Sequence, residues 1–381
     1  MEKIIKRFVL ACIPLLALVA CKKEGDLVVY APGTTANIST SASAVAATPA
    51  DSLKTVFTVS WSSPRYSVDS STVKYIVEID SSGRNFSKAV SKTVTGLLSA
   101  SYTAKELNNI LLGYGFSFGV AYDMDIRVTS SYANNNEQLK SATIKVKMTP
   151  YKIPPKVAPP ASGKLFLVGS ATAGGWGNPV PTPTQEFSKI DSVTYAGVFD
   201  LTGGNEFLIL PVNGDWSHKY SVGDKSVTGL NAGGSFGYDL SDNIPAPGTS
   251  GKYLIKLDFQ AGKFTVTPFT GVLPVNLFMV GDATAGGWSN PVPVPTQQFT
   301  RVNSSQFELT TAITGGKQYL LLPVNGDWSH KFSVEDNSIA SLKTGGTFKY
   351  DAPANFPGPD VTGNYKFVVN FATYTYTVTK Q

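Results

Sequence analysis

The chain has very little of what metal and nucleophile chemistry needs. Its 381 residues include only two cysteines and two histidines. The histidines, His218 and His330, have no cysteine or second histidine at metal-ligand spacing in their own part of the chain, which argues against a zinc site. There is no Gly-x-Ser-x-Gly elbow and no phosphate-binding loop. Charged residues make up 15%, and the net charge of +5 includes no basic block beyond the first 23 residues. A nucleic-acid footprint is therefore not supported. The longest amino-terminal apolar run, residues 8–17, is shorter than the about 20 residues needed to span a bilayer.

What is abundant points to strands. Tyrosine (17) and phenylalanine (21) favour sheets over helices, and 35 glycines with 24 prolines supply the turns of an all-β chain. The amino terminus has the three parts of a secretory signal. Lys3, Lys6 and Arg7 are followed by the apolar run and then by Leu18-Val19-Ala20-Cys21, which resembles a bacterial lipobox. The resemblance implies cleavage before Cys21 and lipid on that residue. Loss of residues 1–20 removes Cys12, so the mature chain keeps one cysteine and has neither a disulfide framework nor a thiolate metal site. The following Lys22-Lys23-Glu24-Gly25-Asp26 is similar to the tethers of Bacteroidetes lipoproteins sent to the cell surface.

Composition then divides the chain. Residues 21–50 are poor in large apolar side chains and read as a lipid-anchored tether, with one candidate edge strand at residues 27–30. Residues 51–151 form the first domain. In Val56 to Trp61 the alternation puts Phe57, Val59 and Trp61 on one face, so Trp61 is expected in the core. Further strand-like runs cover residues 73–79, 86–94, 117–128 and 142–148. Thr103-Ala104-Lys105-Glu106 has capping-box spacing ahead of Leu107, Ile110 and Leu111, which predicts one short helix. The pattern is that of an immunoglobulin-like sandwich with a helical crossover. A linker at residues 152–163, carrying four prolines, should be extended and stiff.

Two modules follow, at residues 164–270 and 271–381. The ten-residue stretch LPVNGDWSHK occurs at Leu210–Lys219 and again at Leu322–Lys331, and the offset of 112 residues aligns Leu165–Thr267 with Leu277–Thr379 without a gap. About half of the aligned positions are identical, a tandem duplication. About seven short strands per module describe a β-sandwich, and Asn213-Gly214 is a hairpin-turn signal. The fold class expected is all-β: an immunoglobulin-like sandwich and two tandem β-sandwich modules of carbohydrate-binding type. The seam, residues 268–274, is too short for a free linker.

Each module carries two tryptophans 40 residues apart, Trp176 with Trp216 and Trp288 with Trp328. Trp176 stands in a Gly/Pro loop with no hydrophobic neighbours in sequence. Exposing an indole is costly unless its face is used, and sugar rings offer flat C–H faces that stack on aromatics. Beside the second tryptophan lie groups able to bond hydroxyl pairs: Asn213, Asp215, His218 and Lys219, matched by Asn325, Asp327, His330 and Lys331. The alternative is that Trp216 closes a core, Asn213 and Asp215 shape a turn and Lys219 is a solvated charge. Glycoside hydrolysis usually needs two carboxyl groups flanking the bond. Asp215/Asp327, Asp224/Asp336 and Asp239/Asp351 are shared between the copies, but Glu206 and Asp191 become Gln318 and Asn303, and no glutamate is shared.

The layout resembles the SusE/SusF family of Bacteroidetes outer-membrane lipoproteins, which serve starch-utilisation-type systems. Carrying the resemblance are Cys21, the first domain with Ser60-Trp61 and Val73-Lys74-Tyr75, and modules opening on Leu-Phe-Leu-Val-Gly (Leu-Phe-Met-Val-Gly in the second) and Gly-Gly-Trp. Two modules after the first domain look more like the SusE branch than the longer SusF branch. The resemblance implies a non-catalytic, outward-facing lipoprotein of the outer membrane that captures starch-like α-glucan, without cofactor, beside a SusC-like transporter and a SusD-like lipoprotein. It also implies that Trp176, Trp216, Trp288 and Trp328 are the stacking platforms. One departure is visible: family members often place a basic residue on the strand before the second aromatic, where this chain has Leu208 and Leu320. Lys219 and Lys331 are the candidate substitutes. The competing class is a structural or assembly subunit of a surface glycan-uptake complex, with no glycan binding of its own.

Overall fold

The computed structural model describes residues 32–67 and 69–381, in two compact units, Met1–Pro154 and Pro155–Gln381. The lipobox, Cys21 and the candidate strand at residues 27–30 lie outside the described residues.

The first unit holds a three-stranded sheet, in the order Ile38–Thr40, Thr55–Trp61, Ser99–Thr103, and a six-stranded sheet. The second runs Ala44–Val45, Ile144–Met148, Tyr122–Ser131, Lys74–Ser81, Val90–Thr95, with Leu139–Lys140 beside Tyr122–Ser131. Alternation decides the faces: Phe57, Val59 and Trp61 turn inward and meet Tyr75, Val77, Ile79, Met124, Ile126 and Val128. Trp61 packs on Tyr75 with ring centroids 5.2 Å apart, as a core residue. The helix is Ala104–Gly113. Thr103 Oγ1 accepts from the Glu106 N–H at 3.2 Å and Glu106 Oε2 accepts from the Thr103 N–H at 2.7 Å, while Leu107 and Leu111 face the core.

Two stretches read as connectors are partly folded. Residues expected in the tether enter the first unit: Ile38–Thr40 pairs antiparallel with Thr55–Trp61, Ala44–Val45 pairs parallel with Ile144–Met148, and Ala36 is buried. Their serines and threonines hid them, because edge strands need backbone pairing more than apolar side chains. The later part of the proline-rich linker is likewise pinned to the second unit. Val157 N–H donates to Phe259 O at 3.2 Å, Tyr220 OH donates to Ala158 O at 2.9 Å, and Ser162 Oγ donates to Pro211 O at 2.7 Å.

In the second unit every strand of the first copy recurs 112 residues later, from Phe166–Val168 and Phe278–Val280 to Lys263–Pro268 and Thr375–Lys380. Each copy has two five-stranded sheets. In the first copy one sheet runs Phe166–Val168, Glu206–Leu210, Tyr220–Ser221, Gly237–Tyr238, with Ile244–Pro245 also on Glu206–Leu210. The other runs Ser188–Lys189, Thr194–Leu201, Gly251–Asp258, Lys263–Pro268, Gly233–Ser235. Both faces of Glu206–Leu210 are buried. Phe207 and Ile209 join the main core with Tyr195, Tyr220 and Phe259, while Leu208 and Leu210 form a second cluster with Phe166, Val168 and Val180. Val180 belongs to the Gly/Pro loop that carries Trp176, so the loop is seated by its own apolar anchor. Leu320, Leu322, Phe278, Val280 and Val292 repeat the arrangement.

The two copies meet through buried polar contacts. Ser188 Oγ donates to Asn303 Oδ1 at 2.6 Å and lies 3.0 Å from Ser305 Oγ, and the Ser304 N–H donates to Glu186 O at 2.9 Å. The seam packs on the second copy: Tyr374 OH donates to Val272 O at 3.0 Å.

Candidate functional site

Strand Glu206–Leu210 ends at Leu210 and the chain returns as Tyr220–Ser221, with Ile209 opposite Tyr220. Nine residues connect them, so Asn213-Gly214 is not the two-residue hairpin turn that its sequence signals. Gly214 does take a positive φ of 91°. Asn213 is used differently: its Oδ1 accepts from the Val180 N–H at 2.7 Å and its Nδ2 donates to Val180 O at 3.2 Å. One residue on, the Gly214 N–H donates to Asn178 Oδ1 at 2.7 Å. Two asparagines thus stitch the Trp216 connection to the Trp176 loop, and each tryptophan stands two residues from the stitch. Asn325 with Val292, and Asn290 with Gly326, repeat it.

The Trp176 loop is held from beneath by Gln185, which is buried. Gln185 Oε1 accepts from the Gly174 N–H at 3.0 Å, and its Nε2 donates to Leu167 O at 2.6 Å and to Thr172 Oγ1 at 3.2 Å. Both glycines before the tryptophan are needed. A Cβ on Gly174 would stand 2.8 Å from Pro181 Cδ and 2.9 Å from Gln185 Oε1, and Gly175 has φ +57°. The result is an indole on a rigid base. Exposure is 41% for Trp176, 50% for Trp216, 40% for Trp288 and 49% for Trp328. None of the four is a core residue, which removes the reading in which Trp216 closes the sandwich.

Asp215 Oδ1 accepts from the Ser217 N–H at 2.8 Å and shapes the connection, as Asp327 does with Ser329. His218 Nδ1 lies 2.7 Å from Asp239 Oδ2, and its ring stacks on exposed Tyr238 with centroids 5.1 Å apart. Asp239 Oδ1 also accepts from the Lys219 N–H at 2.9 Å. The Lys219 ammonium reaches Ser241 O at 3.4 Å; Lys331 has no such bond among the described residues. His330, Tyr350 and Asp351 repeat the histidine, tyrosine and aspartate geometry, with 2.7 Å and 5.1 Å separations. With Nδ1 taken, the other ring nitrogen of each histidine is left for a ligand. Tyr238 and Asp239 were not assigned to the site from sequence, although Tyr238-Asp239 recurs as Tyr350-Asp351; the pairing of Tyr220 with Tyr238 brings them in.

The Lys219 N–H, and after it His218, hold the Asp239 carboxyl below its ordinary value of 3.8. In Asp351 partial burial pulls upward, but the Lys331 N–H and His330 outweigh it and the shift is again downward. A depressed carboxyl contributes most above its unfolded value and loses that contribution as pH falls through the folded one. The clamp on the Trp216 connection should therefore open below about pH 4. The protection factors of the Lys219 and Lys331 amides, each taken against the intrinsic exchange rate from pH 6 to pH 2, should fall there before those of the core strands; an unchanged ratio of the two would contradict the clamp.

Among the described residues no group of three or more His, Cys, Asp or Glu side chains could hold a metal ion, and no helix is long and apolar enough to cross a membrane. What the site offers chemically is flat aromatic surface with hydrogen-bonding groups at its edge, made twice.

No curated protein matches the chain. The solved structure of SusF from Bacteroides thetaiotaomicron aligns with 91% of this chain and 76% of its own, at 17% identity and a TM-score of 0.35. The family model described as SusE outer membrane protein matches residues 23–129. Over those residues the chain is similar to that family.

Proposed function

We propose that this protein is a non-catalytic polysaccharide-binding lipoprotein, anchored in the outer membrane by lipid on Cys21 and facing the cell exterior. The reading rests on one observation above the others. Each module presents two half-exposed tryptophans on loops bonded to each other, with the same geometry in both copies. Indole faces of that exposure suit the C–H faces of sugar rings. Tyr238 with His218, and Tyr350 with His330, add aromatic area and a ring nitrogen for hydroxyls, while Lys219, Lys331, Asp215 and Asp327 stand at the rim. Asn213 and Asn325 serve as positioning residues, since Val180 and Val292 occupy their amides.

The ligand proposed is a starch-like α-glucan, delivered to an outer-membrane uptake system with SusC-like and SusD-like partners. The SusE match over residues 23–129 supports that assignment. Affinity electrophoresis of the mature chain in amylopectin, dextran, xylan and agarose-only gels tests it. Retardation by amylopectin, with no reducing ends released, is expected. Free migration through every polysaccharide would refute glycan capture and favour an assembly role.

A further inference from the structure

The first domain has a feature that a mere spacer would not need. Between strands Lys74–Ser81 and Val90–Thr95 the chain makes a tight loop in which two consecutive residues, Asn85 and Phe86, take φ of +50° and +59°. Left-handed geometry is unusual for a bulky side chain such as phenylalanine and persists only where the surroundings enforce it. Here they do. Asp80, fully buried, accepts from the Ser81 N–H at 2.8 Å and the Lys88 N–H at 3.1 Å. Tyr114, just past the helix, directs its hydroxyl to Ile79 O and Lys88 O at 2.9 and 3.1 Å. The Phe86 ring lies under Arg127, 4.0 Å from its guanidinium carbon.

That enforced loop places Arg84 and Lys88 on one wall of a groove of about 560 Å³, whose remaining lining includes Val90, Asn109, Ile110 and Tyr114. The volume falls in the range of small-molecule sites. We propose that this groove is a second ligand site, separate from the tryptophan modules, and that it binds an acidic saccharide through its carboxylate.

Charge and shape select that ligand class. The Arg84 Nε is 3.7 Å from the Asp80 carboxylate and its guanidinium carbon lies 5.4 Å from the Tyr114 ring centroid, so its charge is partly offset while the side chain lines the groove. Lys88 Nζ and the Asn109 amide have no partner among the described residues. Asp125 is turned elsewhere, accepting from Ser82 Oγ at 2.6 Å and from the Gly83 N–H. A guanidinium fork beside an unpaired ammonium suits a carboxylate, and the apolar lining favours one carried on a sugar ring over free phosphate, which has no C–H face to cover it. Val90, Ile110 and the Tyr114 ring offer apolar area for sugar C–H groups, and Asn109 offers a donor and an acceptor for a hydroxyl pair.

Calorimetric titration of the full mature chain with digalacturonate, maltose and inorganic phosphate tests the assignment. Digalacturonate should bind saturably, and should still bind a Trp176→Ala/Trp288→Ala chain, which separates this groove from the proposed glucan sites. Arg84→Gln and Lys88→Gln should each weaken it at least tenfold. Arg84 touches buried Asp80 and its variant can fail to fold; Lys88 is exposed and free, so Lys88→Gln decides. Unaltered binding by Lys88→Gln, no digalacturonate binding, or phosphate bound as tightly as digalacturonate would each overturn the proposal.

Discussion

A chain carrying Trp176→Ala and Trp288→Ala together is expected to migrate through an amylopectin gel almost as it does through a gel without polysaccharide. Truncating a buried-on-binding tryptophan typically costs about 2 kcal/mol or more, a factor of about thirty in affinity. The loss compounds because two sites on one chain that engage one polymer gain about 10² to 10⁴ in avidity, and removal of either site forfeits most of that gain. Each single variant should thus show clearly reduced retardation. Little stability should be lost with it. Trp176 and Trp288 are exposed, and their loops are held by Gln185, Asn178, Asn213 and Val180, or by the equivalents in the second copy, none of which needs the indole. Thermal unfolding of the double variant should stay within a few degrees of the parent. Unchanged retardation in the double variant would remove the platforms from the function.

The duplication supports the bivalent reading in a second way. Residues that build the tryptophan loops are the same in both copies: Asn178 and Asn290, Gln185 and Gln297, Asn213 and Asn325, His218 and His330, Asp239 and Asp351. Residues at the contact between copies differ. Asn303, whose carbonyl oxygen accepts from Ser188, stands where the first copy has Asp191, and Ser305 stands where it has Val193. The site residues are thus shared by the copies, while the flank of the second is complementary to the first. Buried hydroxyls and an amide in that contact are directional, so they fix the modules' relation more firmly than an apolar contact of similar size would.

How much of this was legible in the sequence depends on range. The strand at residues 55–61, the Trp61 core position, the capped helix at 104–113 and the 112-residue repeat were readable because each is a local pattern: an alternation, a capping pair, an offset. The exposure of Trp176 and Trp288 was readable from their glycine-rich setting, whereas that of Trp216 and Trp328 had a core position as its alternative. Long-range partners were not. Asn213-Gly214 carries the letters of a two-residue turn, yet its amide is used by Val180, 33 residues away. Tyr238 and Asp239 reach His218 only because Gly237–Tyr238 pairs with Tyr220–Ser221. Strands at residues 38–45 lack apolar alternation and are defined by the neighbours they join. Leu208, which departs from the basic residue of the resembled family, is explained by the apolar cluster it forms with Val180 under the loop.

Gln185 tests whether that loop is preorganised or merely present. Replacing it by leucine should lower the unfolding temperature and, in the first module, weaken glycan binding about as much as Trp176→Ala does. The side chain joins three groups: the Gly174 N–H and Leu167 O, for which it is the hydrogen-bond partner, and Thr172 Oγ1, which itself donates to Gly169 O at 2.9 Å. Leaving a buried donor and acceptor unpaired costs about 1–3 kcal/mol each, so a loss of about 3 kcal/mol, or about 10 °C, is expected by calorimetry. Gln185→Glu separates the two halves of the role. A carboxylate still accepts from Gly174 but cannot donate to Leu167 O, and at 2.6 Å the two oxygens repel. It should therefore be no better tolerated than leucine at pH 7. Gln297 in the second module, bonded to Gly286 and Met279 in the same way, supplies the internal control. Either variant unfolding at the parent temperature with parent retardation would mean that the glycine-tryptophan loop holds its shape without the buried amide, and that the platform's rigidity comes from Val180 and the asparagine stitch alone.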